Sequence, residues 1–242
     1  MELKFIHFYP DLMSLYGSYA NVAVLKRHLE AMGNAVTVEY VAPGAADAGL
    51  VDPDFIFMGA GTERAQKAAL ADFIRYESAM KAAAEEGVSM LFAGTSMELL
   101  GRTITDDAGR EYTGIGLGGF TTAQGKKRFV EDVYGATDLY PEPVVGFINK
   151  CSVLSGVESP LLTAVQLGYG NEGLKTPEGF RYKNVIGSHL TGPLLAKNPR
   201  LLDGVTAAIY EKRGEPRPAE LPADPWAEEG YLITARQLKQ RV

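Results

Sequence analysis

The sequence predicts an α/β fold with a mostly parallel sheet covered on both faces. Three observations carry that expectation. The short runs 3–9, 54–58 and 88–93 are almost wholly apolar and lack the alternation of a half-solvated strand. Segments with helical periodicity separate them, as in successive β–α units. Two of the runs also end in small residues, Gly59-Ala60-Gly61-Thr62 and Gly94, at the carboxyl ends of strands. Ligands bind beyond those ends in parallel sheets, so the two loops should face one cleft.

Taken in order, residues 3–9 form the first strand, which Pro10-Asp11 breaks. A helix over 21–32 follows, with Val22, Leu25 and Leu29 at helical spacing and Gly33-Asn34 as its stop. Residues 36–41 are the second strand, and Pro43-Gly44 opens a polar loop. The strand at 54–58 runs into the Gly59–Thr62 loop, and Thr62-Glu63 starts a helix reaching about residue 86, with room for a break. The stretch 88–101 is then a strand, a tight elbow and a short helix, the arrangement on which many α/β enzymes carry a nucleophile. The residue at the top of this elbow is Gly94, which has no side chain to offer.

Beyond Gly101 the pattern changes. Asp106-Asp107-Ala108-Gly109 is a hairpin-type turn, and the glycine-rich stretch 114–119 lacks the spacing of a dinucleotide fingerprint. Strands are expected at 120–122, 128–133, 144–147 and 163–167, and a late one at 185–190 ends at Thr191-Gly192-Pro193. Asn198-Pro199 opens a helix to about Arg213. The organisation expected is one domain over 1–213, a proline-rich linker at 214–225 and a terminal helix over 226–242 that docks loosely or binds a partner.

Composition narrows the function classes. The 242 residues carry a net charge of -6, which argues against nucleic acid or an anionic membrane surface as main partner. No apolar run approaches the roughly 20 residues needed to span a bilayer, and Met1-Glu2-Leu3-Lys4 does not open a signal peptide. A single cysteine allows no internal disulfide, which fits a cytoplasmic location. The three histidines show no zinc spacing, so neither a metal nor a cofactor is expected.

Several strings together resemble one family. They are His7-Phe8-Tyr9-Pro10-Asp11-Leu12-Met13-Ser14-Leu15-Tyr16-Gly17, Met58-Gly59-Ala60-Gly61-Thr62-Glu63-Arg64-Ala65-Gln66, Gly114-Ile115-Gly116-Leu117, Gly146-Phe147-Ile148-Asn149-Lys150, Gly168-Tyr169-Gly170-Asn171, and the run from Asn184 through Gly192-Pro193 to Pro199. In this order they resemble cobyric-acid-synthase-like class I glutamine amidotransferases, and among these the glutaminase subunits of lipid II isoglutaminyl synthase. The resemblance implies a flavodoxin-like three-layer sandwich and a bacterial, cytoplasmic setting in peptidoglycan biosynthesis. It also implies a hetero-oligomer with a Mur-ligase-like synthetase, which uses the released ammonia to amidate a lipid II glutamate.

Glutamine hydrolysis needs a thiolate nucleophile, a histidine base and backbone donors for the oxyanion. Laid on this chain, the family cysteine falls on Gly94, the family histidine on Thr191, and a second family histidine on Lys150. The oxyanion donors fall on Ala60 and Thr95, and an arginine that binds glutamine falls on Arg128, which is otherwise an ordinary ion-paired arginine beside Lys126 and Lys127. The expectation is therefore an amidotransferase-like subunit that has lost hydrolysis. The alternatives are an amide hydrolase with a displaced nucleophile, or a sensor that binds glutamine or another small amide or amino acid. The displaced residues would be Ser96 or Cys151 with His189, although Ser96 also suits helix capping and Cys151 an inert thiol. His189 precedes Thr191 by two residues, so on one strand both side chains would leave the same face toward the cleft.

Overall fold

The computed structural model describes residues 1–46, 48–218, 222 and 224–242. The linker expected at 214–225 falls partly on 219–221 and 223, outside the described residues.

The main sheet contains β1 (Glu2–Phe8), β2 (Ala35–Val41), β3 (Phe55–Met58), β4 (Ser89–Ala93), β10 (Phe180–Tyr182) and β11 (Val185–Ser188), in the order β10-β11-β4-β3-β1-β2. Only the β10–β11 pairing is antiparallel. Because side chains alternate along a strand, β1 sends Ile6 and Phe8 to one face and Leu3 and Phe5 to the other. The first face is covered by α2 (Glu63–Phe73), α3 (Glu77–Glu85) and the turn between them, through Phe73, Tyr76, Met80 and Ala84. A 3₁₀ turn at Ile74–Tyr76 separates these two helices, at the break for which the sequence left room. The second face takes Leu25 and Leu29 of α1 (Ala20–Ala31) and Leu201, Val205 and Ile209 of α5 (Pro199–Arg213). This is the flavodoxin-like three-layer arrangement.

A second sheet holds β5 (Thr103–Thr105), β6 (Glu111–Thr113), β7 (Thr121–Ala136), β8 (Val144–Ser155), β9 (Ala164–Leu167) and β12 (Leu190–Thr191). The strands expected separately at 120–122 and 128–133 are one strand, β7. Its pairing with β8 shifts register between Gln124 and Phe129, where Gly125, Lys126 and Lys127 bulge outward and interrupt the hydrophobic pattern. The chain leaves the main sheet at Ser188, and β12 joins the second sheet beside β8. His189 sits at this crossing, so it and Thr191 do not share a strand. After α4 (Leu194–Lys197) and α5, the terminal helix α6 (Pro225–Lys239) packs Tyr231 and Leu238 against Tyr134 and Val145. The Tyr231 hydroxyl donates to the carbonyl of Pro143.

Candidate functional site

Both small-residue loops open into one cleft of about 180 Å³, as their strand-end positions predict. Its lining includes Ala60, Gly61, Glu63, Gly94, Thr95 and Thr191. The segment after β1 packs against the first loop so tightly that a Cβ on Gly59 would lie 2.3 Å from the Met13 carbonyl oxygen. Leu15 then pairs with Ala60, which brings Leu15 and Tyr16 to the rim. The Thr95 hydroxyl accepts from the Gly61 N–H at 3.0 Å and donates to the Gly61 carbonyl at 2.9 Å, clamping the two loops together.

The elbow keeps its bend without its side chain. Gly94 has φ of 67°, in the left-handed region that costs an ordinary residue free energy and glycine almost none. The turn after it is a 3₁₀ helix over Gly94–Leu100, not an α-helix. A Cβ built on Gly94 would lie 2.5 Å from the Ala60 Cβ and 3.4 Å from the Thr191 Cγ2. The space a nucleophile's stem would use is thus already taken by Ala60. Thr191 donates its hydroxyl to the Phe147 carbonyl at 3.0 Å and supplies no proton acceptor of suitable basicity. The Ala60 N–H, expected as an oxyanion donor, instead donates to the Ser18 hydroxyl at 3.1 Å.

Arg128 does reach the cleft. Its guanidinium pairs with Glu63 at 3.0 Å, and its Nε donates to Asn149 Oδ1 at 2.9 Å. Asn149 in turn donates to the Tyr16 hydroxyl, and Tyr16 is held at φ of 60°, unusual for a tyrosine. Glu63, Asn149 and Tyr16 were not singled out from the sequence. In the sequence Glu63 carries a helix-start signal and, like Tyr16 and Asn149, stands within one of the family strings.

The displaced candidates are not assembled into a catalytic pair. Ser96 is fully buried and donates to the carbonyls of Met58 and Ala93. Cys151 lies on β8 with its Sγ 3.2 Å from Glu63 Oε1, and burial followed by the Glu63 carboxylate pushes the thiol up to about 11. Its thiolate fraction at neutral pH is therefore very small.

His189 has turned inward, away from the cleft and into a buried polar cluster that the sequence did not reveal. Its Nε2 lies 3.1 Å from Glu98 Oε1, and Glu98 is 1% exposed. Glu98 also accepts from Ser152, Gln66 and Gln124 at 2.6–2.7 Å. On the other side Glu178 accepts from the His189 N–H and the Ser188 hydroxyl, and Lys150 donates to the Asn171 carbonyl. Burial, reinforced by the Lys150 charge, drives His189 down to about 4 despite Glu98. Neutral His189 therefore donates from Nε2. Burial disfavours the Glu98 carboxylate, yet its four donors keep it ionised. Burial raises Glu178 to about 7 and lowers Lys150 to about 8.

Among the described residues no helix is long and apolar enough to cross a membrane, and no cluster of three or more His, Cys, Asp or Glu residues is arranged to hold a metal.

Residues 4–199 match the CobB/CobQ-like glutamine amidotransferase domain. The chain is 29% identical over 245 residues to the lipid II isoglutaminyl synthase (glutamine-hydrolyzing) subunit GatD of Staphylococcus aureus, covering 99% of both chains. It is 33% identical over 219 residues to the subunit of the same name from Streptococcus pneumoniae, covering 88% of this chain and 83% of that one. A crystal structure of a glutamine amidotransferase superposes with a TM-score of 0.54 at 17% identity, over 85% of this chain and 98% of the other, and supports the shared fold.

Proposed function

The chain belongs to the CobB/CobQ-like glutamine amidotransferase family, and from that premise we propose that it is a GatD-like subunit that has lost glutamine hydrolysis. In this reading it serves as a binding subunit for a Mur-ligase-like synthetase in the cytoplasm, within the lipid II amidation system to which its relatives belong. The observation that carries the reading is the position of Ala60, whose Cβ stands 2.5 Å from where any side chain on Gly94 would begin. A family nucleophile is absent at 94, its stem has no space, and Thr191 cannot exchange a proton near neutral pH. Backbone and clamp survive around that gap. Gly94 keeps the left-handed elbow, Thr95 ties it to Gly61, and Arg128 stays at the rim.

A migrated active site is the competing reading, and the local bonding weighs against it. Ser96 spends its hydroxyl on two carbonyls, Cys151 has a raised pKa, and His189 faces Glu98. The test is ammonia release from glutamine by the purified chain, alone and with a candidate Mur-ligase-like synthetase. No release in either case, together with a stable complex on gel filtration, is the expected result. Release that disappears on Ser96→Ala or Cys151→Ala overturns it.

A further inference from the structure

A second opening, outside the cleft, lies against the main sheet near the amino-terminal ends of β4 and β11, away from the elbow. It encloses about 420 Å³ between α5, the start of β4, the β10–β11 turn and the loop after β7. That volume is in the range of small-molecule sites. Its walls are mainly apolar, with Ile186 from the sheet and Leu201 and Val205 from α5.

Three features mark it as more than a packing gap. Gly204, in the interior of α5, forms part of the wall, and a Cβ added there would meet nothing within 4 Å. Glycine is among the poorest residues for a helix interior, and no steric demand calls for it here. Gly204 is exposed at the pocket wall, so a side chain there would start in open space at the mouth of the opening. Two hydroxyls of residues lining the pocket, Ser89 Oγ and Tyr140 OH, are buried without a hydrogen-bond partner, and such groups carry a desolvation cost until a partner arrives. Arg217, at the rim, is exposed, and among the described residues its guanidinium donates to the Asp203 carbonyl and faces no carboxylate at ion-pair distance. By contrast Arg181, Lys183 and Arg200 each already face carboxylates.

We propose that this pocket is a second ligand site, for a small amphipathic anion. Its apolar body lies along Leu201, Val205 and Ile186 beside Gly204, its carboxylate or phosphate head pairs with Arg217, and the hydroxyls of Ser89 and Tyr140 bond a polar atom of the body. The site is independent of glutamine chemistry, because it lies against the opposite end of the strands from Gly94.

Calorimetric titration of the full-length protein with decanoate, decyl phosphate and uncharged decanol tests this assignment. The two anions should bind at least tenfold more tightly than decanol, and the stronger of them identifies the head group. Gly204→Phe, whose ring has open space to enter, should abolish binding and leave the thermal midpoint unchanged or raised. Arg217→Glu, an exposed change that spares the fold, should weaken the anions at least tenfold and leave decanol unaffected. Equal binding of decanol and decanoate, or anion binding that survives both variants, overturns the proposal.

Discussion

Placing a thiol nucleophile on the elbow should destabilise the protein and should not by itself produce glutamine hydrolysis. In Gly94→Cys the new Cβ lies 2.5 Å from the Ala60 Cβ and 3.1 Å from its Cα, well inside van der Waals contact. Overpacking of this kind costs about 1–3 kcal/mol. A non-glycine residue at φ of 67° adds about 1–2 kcal/mol of backbone strain. The sum, about 2–5 kcal/mol, is readable in urea unfolding, and each kcal/mol lowers the thermal midpoint by about 2–4 °C in a chain of this size. Ala60→Gly in the same chain removes the close Cβ, so the pair should recover the overpacking part and show coupling of about 1–3 kcal/mol in a double-mutant cycle. The backbone strain should remain. Only the triple variant Ala60→Gly, Gly94→Cys, Thr191→His supplies space, thiol and base together, and it alone should release ammonia from glutamine. If Gly94→Cys is as stable as the parent, or hydrolyses glutamine unaided, the steric argument fails.

Other expectations concern the groups around the elbow. Glu98→Gln places an amide among four donors, so urea unfolding should show a loss of about 3–5 kcal/mol, the scale for breaking a buried charged network. His7 is buried with its Nε2 unpartnered, and burial lowers it from 6.5 to about 4. The unfolded chain therefore takes up a proton between those values that the folded chain refuses, and stability falls as pH drops through this window. In His7→Phe the slope of stability against pH between 6.5 and 4 should flatten by about one proton. Cys151 should react slowly with iodoacetamide at neutral pH, and Glu63→Gln, which removes the adjacent charge, should accelerate the alkylation measurably by mass spectrometry.

The parts of the fold legible in the sequence are those with one dominant signal. Residues 3–9, 54–58 and 88–93 are strands because they are almost wholly apolar, and Gly94 stands out because an elbow normally displays a side chain. The second sheet was harder to read. Its longest strand carries Gly125-Lys126-Lys127 on an outward bulge, so a continuous element looks like two short ones. The inference about His189 failed for a related reason. A spacing of two implies a shared face only on one strand, and the chain changes sheets between Ser188 and Leu190. The buried cluster had no local signature at all, since Glu98, Lys150, Glu178 and His189 come from four separate segments and meet only through the tertiary fold.

That cluster explains how a site without a nucleophile keeps its shape. Glu98 stands on the same 3₁₀ turn as Gly94 and accepts from Gln66 on α2, Gln124 on β7, Ser152 on β8 and His189 at the crossing between sheets. Gln66 also donates to the Thr95 carbonyl. The elbow is therefore fixed from beneath by groups of the second sheet, one helix and the crossing between the sheets, and none of these contacts requires a side chain at 94. Buried charge is a poor source of net stability, because desolvation offsets most of the attraction. What four directional donors on one carboxylate supply is a single geometry for the turn. A glycine at 94 avoids the left-handed strain that a cysteine there would carry, whereas loss of Glu98 would strand four polar partners in the core. The two positions therefore carry opposite costs to the fold, and under the proposed function this lets the amidotransferase frame stand without glutamine hydrolysis.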